Sequence, residues 1–60
     1  MYIFMAHYTN MDSGMKIKRK IKVLDEGPEK AIYWIALGIA YDRKKKNECL
    51  RMLEFISVVC

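Results

Sequence analysis

The sequence predicts a small α+β domain of the form ββαβ, in which a three-stranded mixed sheet of strand order 2-1-3 carries one helix. Three observations predict it: two strand-like segments flank a cluster of turn residues, a proline opens a helical stretch, and β-branched residues end the chain. The 60 residues suffice for one domain, 1–60. A chain of this size buries only about 60% of its unfolded surface, so we expect a partner or a second copy to stabilise it.

The first two strands form a predicted hairpin. Segment 2–9 is apolar on both alternating sets, which suits a central strand. Segment 10–14 gathers turn formers, among them Gly14, which can adopt a positive φ. Segment 15–24 alternates between apolar residues, interrupted only by Arg19, and lysines. These lysines are Lys16, Lys18, Lys20 and Lys22. Their charge suits an edge strand, where it discourages aggregation.

A helix is predicted from Pro28 to about Lys46. Pro28 fits the first helical position, and the acidic residues of 25–29 favour the positive end of the helix dipole. The cations of 43–46 suit the negative end, and Asn47 can end the helix in a left-handed conformation.

Segment 50–59 fits two interpretations. With Asn47 as its N-cap it has a helical stripe, which would give a ββαα domain. Its aromatic and β-branched end, with Phe55, Ile56 and Val58, favours a strand instead, and a ββα unit needs a third strand for stability. We favour the strand, joined to the second strand by a right-handed crossover.

The predicted helix is apolar on both sides. One stripe, which can cover the sheet, consists of Ile32, Ile35, Ala36 and Ile39. The opposite side projects Tyr33, Trp34, Leu37 and Tyr41. One sheet and one helix enclose a single internal layer, so an uncovered aromatic side predicts contact with another molecule. The alternative is a rotated helix that buries Trp34 in the domain's own core.

Two basic clusters are expected to meet at one end of the molecule, because the helix returns antiparallel to the second strand. They are the four strand lysines and the group Arg43, Lys44, Lys45 and Lys46. With a net charge of +4, this end can bind nucleic-acid phosphates or an acidic protein surface. The alternative is a solubilising edge and a dipole-matched helix end, diluted by Asp42, Glu48 and Glu54.

The hairpin register decides what else lies beside the strand lysines. If Tyr2, Phe4 and Tyr8 share their face, the sheet resembles a stacking platform for single-stranded nucleic acid. If Ile3 and Met5 share it, the face is typical of a protein contact. A five-residue turn leaves both registers open.

The sequence contains no pattern that is typical of a catalytic site. His7 has no neighbouring nucleophile, and neither a GxSxG motif nor a glycine-rich phosphate loop occurs. Asp25 and Glu26 suit helix capping better than acid–base chemistry. We therefore expect no enzyme and no small-molecule substrate.

Metal, cofactor and membrane binding are not expected either. One histidine and two separated cysteines, Cys49 and Cys60, supply too few ligands for zinc, and both cysteines are expected to be free thiols. The first residues lack a signal-peptide pattern, and the longest nearly uncharged run, 31–41, is about half of the ~20 residues that span a bilayer. A cytoplasmic location is therefore expected.

The order of segments resembles that of small accessory proteins of phages and conjugative elements. The resemblance covers the whole chain: the run from Tyr2 to Tyr8, a short turn, an alternating strand, a Pro-Glu-led helix and an aliphatic last strand. It implies a binding role, since many such proteins, anti-CRISPR inhibitors among them, cover a site on a host protein, sometimes as dimers. The positive charge departs from the acidic, DNA-mimicking type.

We therefore expect a non-enzymatic protein-binding module that contacts a host protein or a second copy of itself through its aromatic helix side. Sequence-tolerant nucleic-acid binding by the basic residues is the alternative.

Overall fold

The computed structural model describes residues 1–24 and 27–59. Its elements are β1 (Tyr2–Asn10), β2 (Lys16–Val23), α1 (Glu29–Asp42) and β3 (Glu48–Val58). The predicted ββαβ fold is confirmed, and because 48–58 forms a strand, the alternative of a second helix is wrong. The predicted acidic helix start at 25–26 and the thiol of Cys60 lie outside the described residues.

The central strand of the sheet is β1, in the predicted order β2-β1-β3. Both of its pairings are antiparallel: Tyr2 lies opposite Val23 of β2 and opposite Val58 of β3. The prediction of a mixed sheet is therefore corrected in one respect. The strands β2 and β3 run in the same direction but are separated by β1, so no parallel pair forms.

The hairpin between β1 and β2 is organised by Asn10. Its carbonyl accepts a hydrogen bond from the amide of Gly14 at 2.7 Å, and its amide donates to the carbonyl of Met15 at 2.8 Å. Its Oδ1 accepts from the amides of Asp12 and Ser13 at 2.8 and 3.0 Å. Gly14 has a φ of 75°, which glycine adopts without steric cost. This turn fixes the hairpin register.

The register decides which side chains share a face of the sheet. Phe4 pairs with Ile21 and Tyr8 with Ile17, and these four pack toward α1, on what we call the helix face. The opposite, free face carries the four lysines of β2. Lys16, Lys18, Lys20 and Lys22 pair there with Thr9, His7, Met5 and Ile3, respectively. The aromatic rings of β1 therefore lie beneath the helix and away from the lysines.

The core lies between the helix face and α1. Its buried members are Phe4, Ala6, Tyr8, Ile21, Val23, Ile32, Ala36 and Ala40. The predicted stripe is right for Ile32 and Ala36, which are buried, and for Ile39, which packs against the core. It is wrong for Ile35, which is exposed. The helix instead turns Ala36 and Ala40 toward the sheet, because small side chains let its backbone approach closely.

The helix ends at Asp42, about one turn before the predicted end at Lys46. The chain then runs to the hairpin loop, where the amide of Met11 donates to the carbonyl of Asn47 at 2.6 Å. The predicted left-handed cap at Asn47 is wrong, since among the described residues only Gly14 has a positive φ. At the position predicted for a helix cap, Asn47 instead joins the loop after α1 to the hairpin loop, which is distant in sequence.

Candidate functional site

A partly buried ion pair connects the two edge strands of the sheet. Arg19 of β2 donates two hydrogen bonds to the carboxylate of Glu48 of β3, at 2.6 and 2.9 Å. The guanidinium of Arg19 also lies 4.7 Å from the ring centre of Tyr8, in a cation–π arrangement. The interruption of the apolar set at Arg19 thus has a structural reason: this side chain lies on the helix face and is paired there.

Glu48 is only 4% exposed, yet its carboxylate is well supplied with donors. Besides Arg19, the amide of Lys45 donates to it at 2.9 Å. The hydrogen bond from Arg19 and then that from Lys45 lower the pKa of Glu48 from 4.5 to about 2. The same pairing raises the pKa of Arg19. Glu48 therefore holds a structural charge and does not dilute the surface lysines.

The predicted aromatic side of the helix faces away from the core. Trp34 is 67% exposed and Tyr41 is also exposed, whereas Leu37 is half-buried. These three residues follow one helical stripe at spacings of three and four. The alternative interpretation, in which the helix rotates to bury Trp34 in its own core, is not what the structure has.

A groove of about 420 Å³ opens beside Trp34, between the first half of α1 and the strands β1 and β3. Its lining consists of Tyr2, Phe4, Lys30, Ile32, Tyr33, Trp34 and Phe55. The ring of Phe4 lies at its base, 5.5 Å from that of Phe55 and 6.4 Å from that of Tyr33, both edge to face. Among the residues whose side chains the structure describes, Lys30 is the single charged one in this lining, so the groove suits an apolar occupant.

Sequence reasoning found Tyr33 and Trp34 but not the other wall of the groove. Phe55 lies on the helix face of β3, yet it is 52% exposed because α1 does not cover this edge of the sheet. It pairs with Phe4 just before a β-bulge, at which the β1–β3 register shifts between Phe4 and Ile3, and this position depends on strand pairing. The apolar ending of the sequence was the one available signal, and it was used to predict a strand.

The basic residues divide between the free face and a loop. Lys16, Lys18, Lys20 and Lys22 are all exposed on the free face. Arg43, Lys44, Lys45 and Lys46 lie in the connection between α1 and β3. Arg43 reaches the strand lysines, since its Nη1 donates to the carbonyl of Lys20 at 3.1 Å. The loop also meets the hairpin, where Nδ2 of Asn47 donates to Oδ2 of Asp12 at 3.2 Å.

A second pocket, of about 340 Å³, is lined by residues of all three strands near the hairpin end of β2. Its lining is His7, Tyr8, Thr9, Lys16, Ile17, Lys18, Arg51 and Met52. Arg51 was not predicted as a site residue. It is the unpaired residue at the register shift between His7 and Tyr8, so its place beside the lysines could not be inferred from the strand alternation alone.

The potential catalytic groups have structural partners. The Nε2 atom of His7 lies 3.0 Å from Oε1 of Glu54 on the free face, and the hydroxyl of Ser13 accepts from the amide of Met15 at 3.2 Å. Within residues 1–24 and 27–59, no three His, Cys, Asp or Glu side chains gather as a metal site. In the same part of the chain, no helix is long and apolar enough to cross a membrane.

No family model, no curated protein and no solved structure matches this chain. The resemblance to accessory proteins of phages and conjugative elements therefore stays a prediction. The features available for a functional proposal are the apolar groove with its exposed tryptophan and the cationic free face.

Proposed function

We propose that this chain is a protein-binding module and that its occupant is a second copy of itself, docked over the apolar groove and along the edge of β3. The observation that carries the proposal is Trp34, 67% exposed beside a groove whose described lining side chains include one charged residue, Lys30. Tryptophan is enriched among the residues that dominate interface energies, and burying such a ring removes a large apolar area from water.

The end of the β3 edge, from Phe55 to Val58, supports this proposal because it carries no charged side chain, whereas Arg51 and Glu54 lie earlier on the strand. An exposed edge strand presents unpaired backbone groups that can accept another strand, and proteins commonly block it with charged side chains. The edge strand β2 has four lysines along its free face. By contrast, the 11-residue strand β3 carries exposed Phe55, Ile56 and Val58 toward its end.

A second copy fits better than a charged partner for two reasons. Two molecules of net charge +4 repel each other, but the groove and the end of β3 hold little of that charge, so this is the side on which copies can approach. Antiparallel pairing of β3 with its counterpart about a two-fold axis uses the same surface on both molecules. Such an assembly closes at two copies and leaves the lysine edges outside.

The mass in solution tests the proposal. Analytical ultracentrifugation over a range of protein concentrations is expected to give twice the chain mass of 7.1 kDa, with dissociation on dilution. Trp34→Ala is expected to weaken self-association at least tenfold, since truncating a central interface aromatic residue costs about 2 kcal/mol or more. A circular dichroism spectrum establishes that the variant is folded.

Met11→Ala is the matched control, because Met11 is also 67% exposed but lies in the hairpin loop, away from the groove. It is expected to leave the association constant unchanged. Phe55→Arg adds a charge to the opposite wall of the groove and is expected to weaken association as strongly as Trp34→Ala. A wild-type chain that stays monomeric at millimolar concentration contradicts the proposal.

Two further predictions attach to this proposal. The resemblance to accessory proteins implies that the dimer covers a site on a host protein. A cytoplasmic location accords with Cys49, which is a free thiol in the described part of the chain.

A further inference from the structure

We propose that the free face of the sheet binds the phosphate backbone of nucleic acid, centred on the pocket that Lys16, Lys18 and Arg51 line together with His7. The ligand class is a linear polyanion recognised by charge rather than by base sequence. This surface is separate from the groove of the proposed dimer, so each of the two proposals can fail without the other.

The pocket brings together cations from opposite edges of the sheet. Lys16 and Lys18 come from β2, Arg51 comes from β3, and His7 of β1 lies between them. Its volume of about 340 Å³ exceeds that of a phosphate group, and ammonium and guanidinium groups are the usual protein ligands of phosphate oxygens. Among the described residues, Arg51 makes no ion pair or side-chain hydrogen bond, so its donors are available.

The pocket continues into a row of lysines. Lys20 and Lys22 follow Lys18 on the same face at every second residue, a spacing of about 6.7 Å along an extended strand. From Lys16 to Lys22 the row is about 20 Å long. A single phosphate or a mononucleotide can fill the pocket but not the row. A chain of phosphates can contact both.

Edge protection alone does not account for this arrangement. It explains lysines on β2, because their charge prevents pairing with another strand. It does not explain Arg51, which belongs to the other edge strand and lines the same pocket. The apolar residues that the central strand contributes to this face are covered, since Ile3 is buried and Met5 is half-buried, whereas Met52 of β3 is exposed in the pocket.

The register also determines how nucleic acid would be held. Because the rings of Tyr2, Phe4 and Tyr8 lie on the helix face, no aromatic platform is available for stacking bases beside the lysines. Binding then comes from phosphate contacts and depends steeply on salt. With five contacts, from the four lysines and Arg51, the slope of log K against log salt is about −3.5 for single strands and about −4.5 for duplex DNA.

One carboxylate faces this surface. Glu54 is exposed on the free face and lies 3.0 Å from His7, so it opposes the approach of a phosphate. Glu54→Gln keeps the capacity to hydrogen-bond His7 but removes the negative charge. This variant is therefore expected to bind nucleic acid more tightly than the wild type, by about threefold.

Fluorescence anisotropy with labelled 20-nucleotide DNA of mixed sequence, single-stranded and duplex, tests the proposal. Raising the salt concentration from 50 to 200 mM is expected to weaken binding between about 100-fold and 500-fold. Arg51→Gln is expected to weaken binding at 50 mM salt about fivefold, and the double variant K16Q/K18Q at least tenfold. Thermal unfolding curves establish that both variants fold.

The controls remove equal charge elsewhere. Lys46→Gln, in the loop after α1, is matched to Arg51→Gln, and K45Q/K46Q, in the same loop, is matched to K16Q/K18Q. Each control is expected to change the dissociation constant less than twofold. Equal losses in a variant and its control would show that net charge alone attracts DNA, which overturns the assignment to the free face.

Two competitors decide the ligand class. Inorganic phosphate at 10 mM is expected to displace little DNA beyond the effect of its ionic strength, whereas full displacement would reduce the site to a pocket for small phosphates and overturn the proposal. Polyglutamate that competes as well as unlabelled DNA at equal charge would assign the surface to acidic proteins instead. No binding at 50 mM salt, or a salt slope near zero for wild-type protein, also overturns it, whatever the variants do.

Discussion

The two edge strands of the sheet have the same neighbour, β1, but differ in cover and charge. The helix face of β2 lies under α1, where Ile21 and Val23 are buried, and its free face holds four lysines. The helix face of β3 is covered only in its first part, and Phe55 and Val58 are exposed. A single 14-residue helix cannot cover three strands evenly, so one edge is covered within the chain and the other stays partly exposed.

The difference has a physical origin in the helix. Ala36 and Ala40 allow α1 to approach the sheet closely, and two hydrogen bonds fix its last turn. The hydroxyl of Tyr8 donates to the carbonyl of Ala40 at 2.6 Å, and Arg43 donates to the carbonyl of Lys20 on β2. These bonds hold the helix over β1 and β2, which leaves the groove open on the β3 side.

The largest expected effect comes from breaking the one charged pair that connects the two edges. Glu48→Ala leaves the guanidinium of Arg19 on the helix face without its carboxylate. Removing one member of this partly buried pair is destabilising because the guanidinium that remains, 22% exposed, keeps its charge without a partner. We expect Glu48→Ala to lower the midpoint of thermal unfolding strongly, as measured by circular dichroism.

A second glutamate on the same strand provides the control. Glu54 pairs with His7 at the surface, and Glu54→Ala is expected to cost less than about 1 kcal/mol, as exposed ion pairs do. The double variant Arg19→Met with Glu48→Leu is expected to regain stability over Glu48→Ala, because no unpaired charge remains. Similar losses in Glu48→Ala and Glu54→Ala would contradict the structural role given to Glu48.

The next prediction compares how completely α1 covers the two edge strands. Ile21 of β2 is fully buried under the helix, and Ile21→Ala is expected to cost about 2–5 kcal/mol. Phe55 of β3 is half-exposed, and Phe55→Ala is expected to cost only about 1 kcal/mol in the monomer. Urea denaturation at low micromolar concentration, where self-association is least, gives both values.

Because a domain of this size is stable by roughly 3–9 kcal/mol, Ile21→Ala can be largely unfolded. Ile21→Val, with an expected cost of about 0.5–1.5 kcal/mol, then supplies the measurement. Equal costs for Ile21→Ala and Phe55→Ala would show that the helix covers both edges alike, and the contrast between them would be lost.

The difference between the two edge strands also shows which features could be predicted from the sequence alone. Alternation and turn residues are local patterns. They were sufficient to predict the strand order and to place the four lysines of β2 on one side of that strand. The pairing of Arg19 with Glu48 joins residues far apart in the chain, so no local pattern indicated it. Ile35 was predicted to face the core because it belongs to the same helical stripe as Ile32 and Ala36, whereas close approach of the helix favoured the alanines.

The last of these effects is a pH dependence that arises from the same ion pair between Arg19 and Glu48. Glu48 has a pKa of about 2 in the folded chain against an ordinary value of 4.5, because Arg19 and the amide of Lys45 donate to its charged form. The ionised carboxylate therefore stabilises the fold fully above pH 4.5, and this stabilisation is lost as the pH falls from 4.5 to 2. Protonation keeps every atom of the side chain in place, so the loss is smaller than that of Glu48→Ala.

Two measurements check this pH window. In wild-type protein, the carboxyl ¹³C chemical shift of Glu48 is expected to titrate with a midpoint near 2, and a midpoint of 4 or above would contradict the pairing. In urea denaturation, the difference in stability between wild type and Glu48→Gln is expected to stay constant above about pH 5 and to narrow toward pH 2, because Gln cannot titrate. Other carboxylates act equally in both proteins and cancel in the difference, so a constant gap down to pH 2 would show that Glu48 does not carry the linkage.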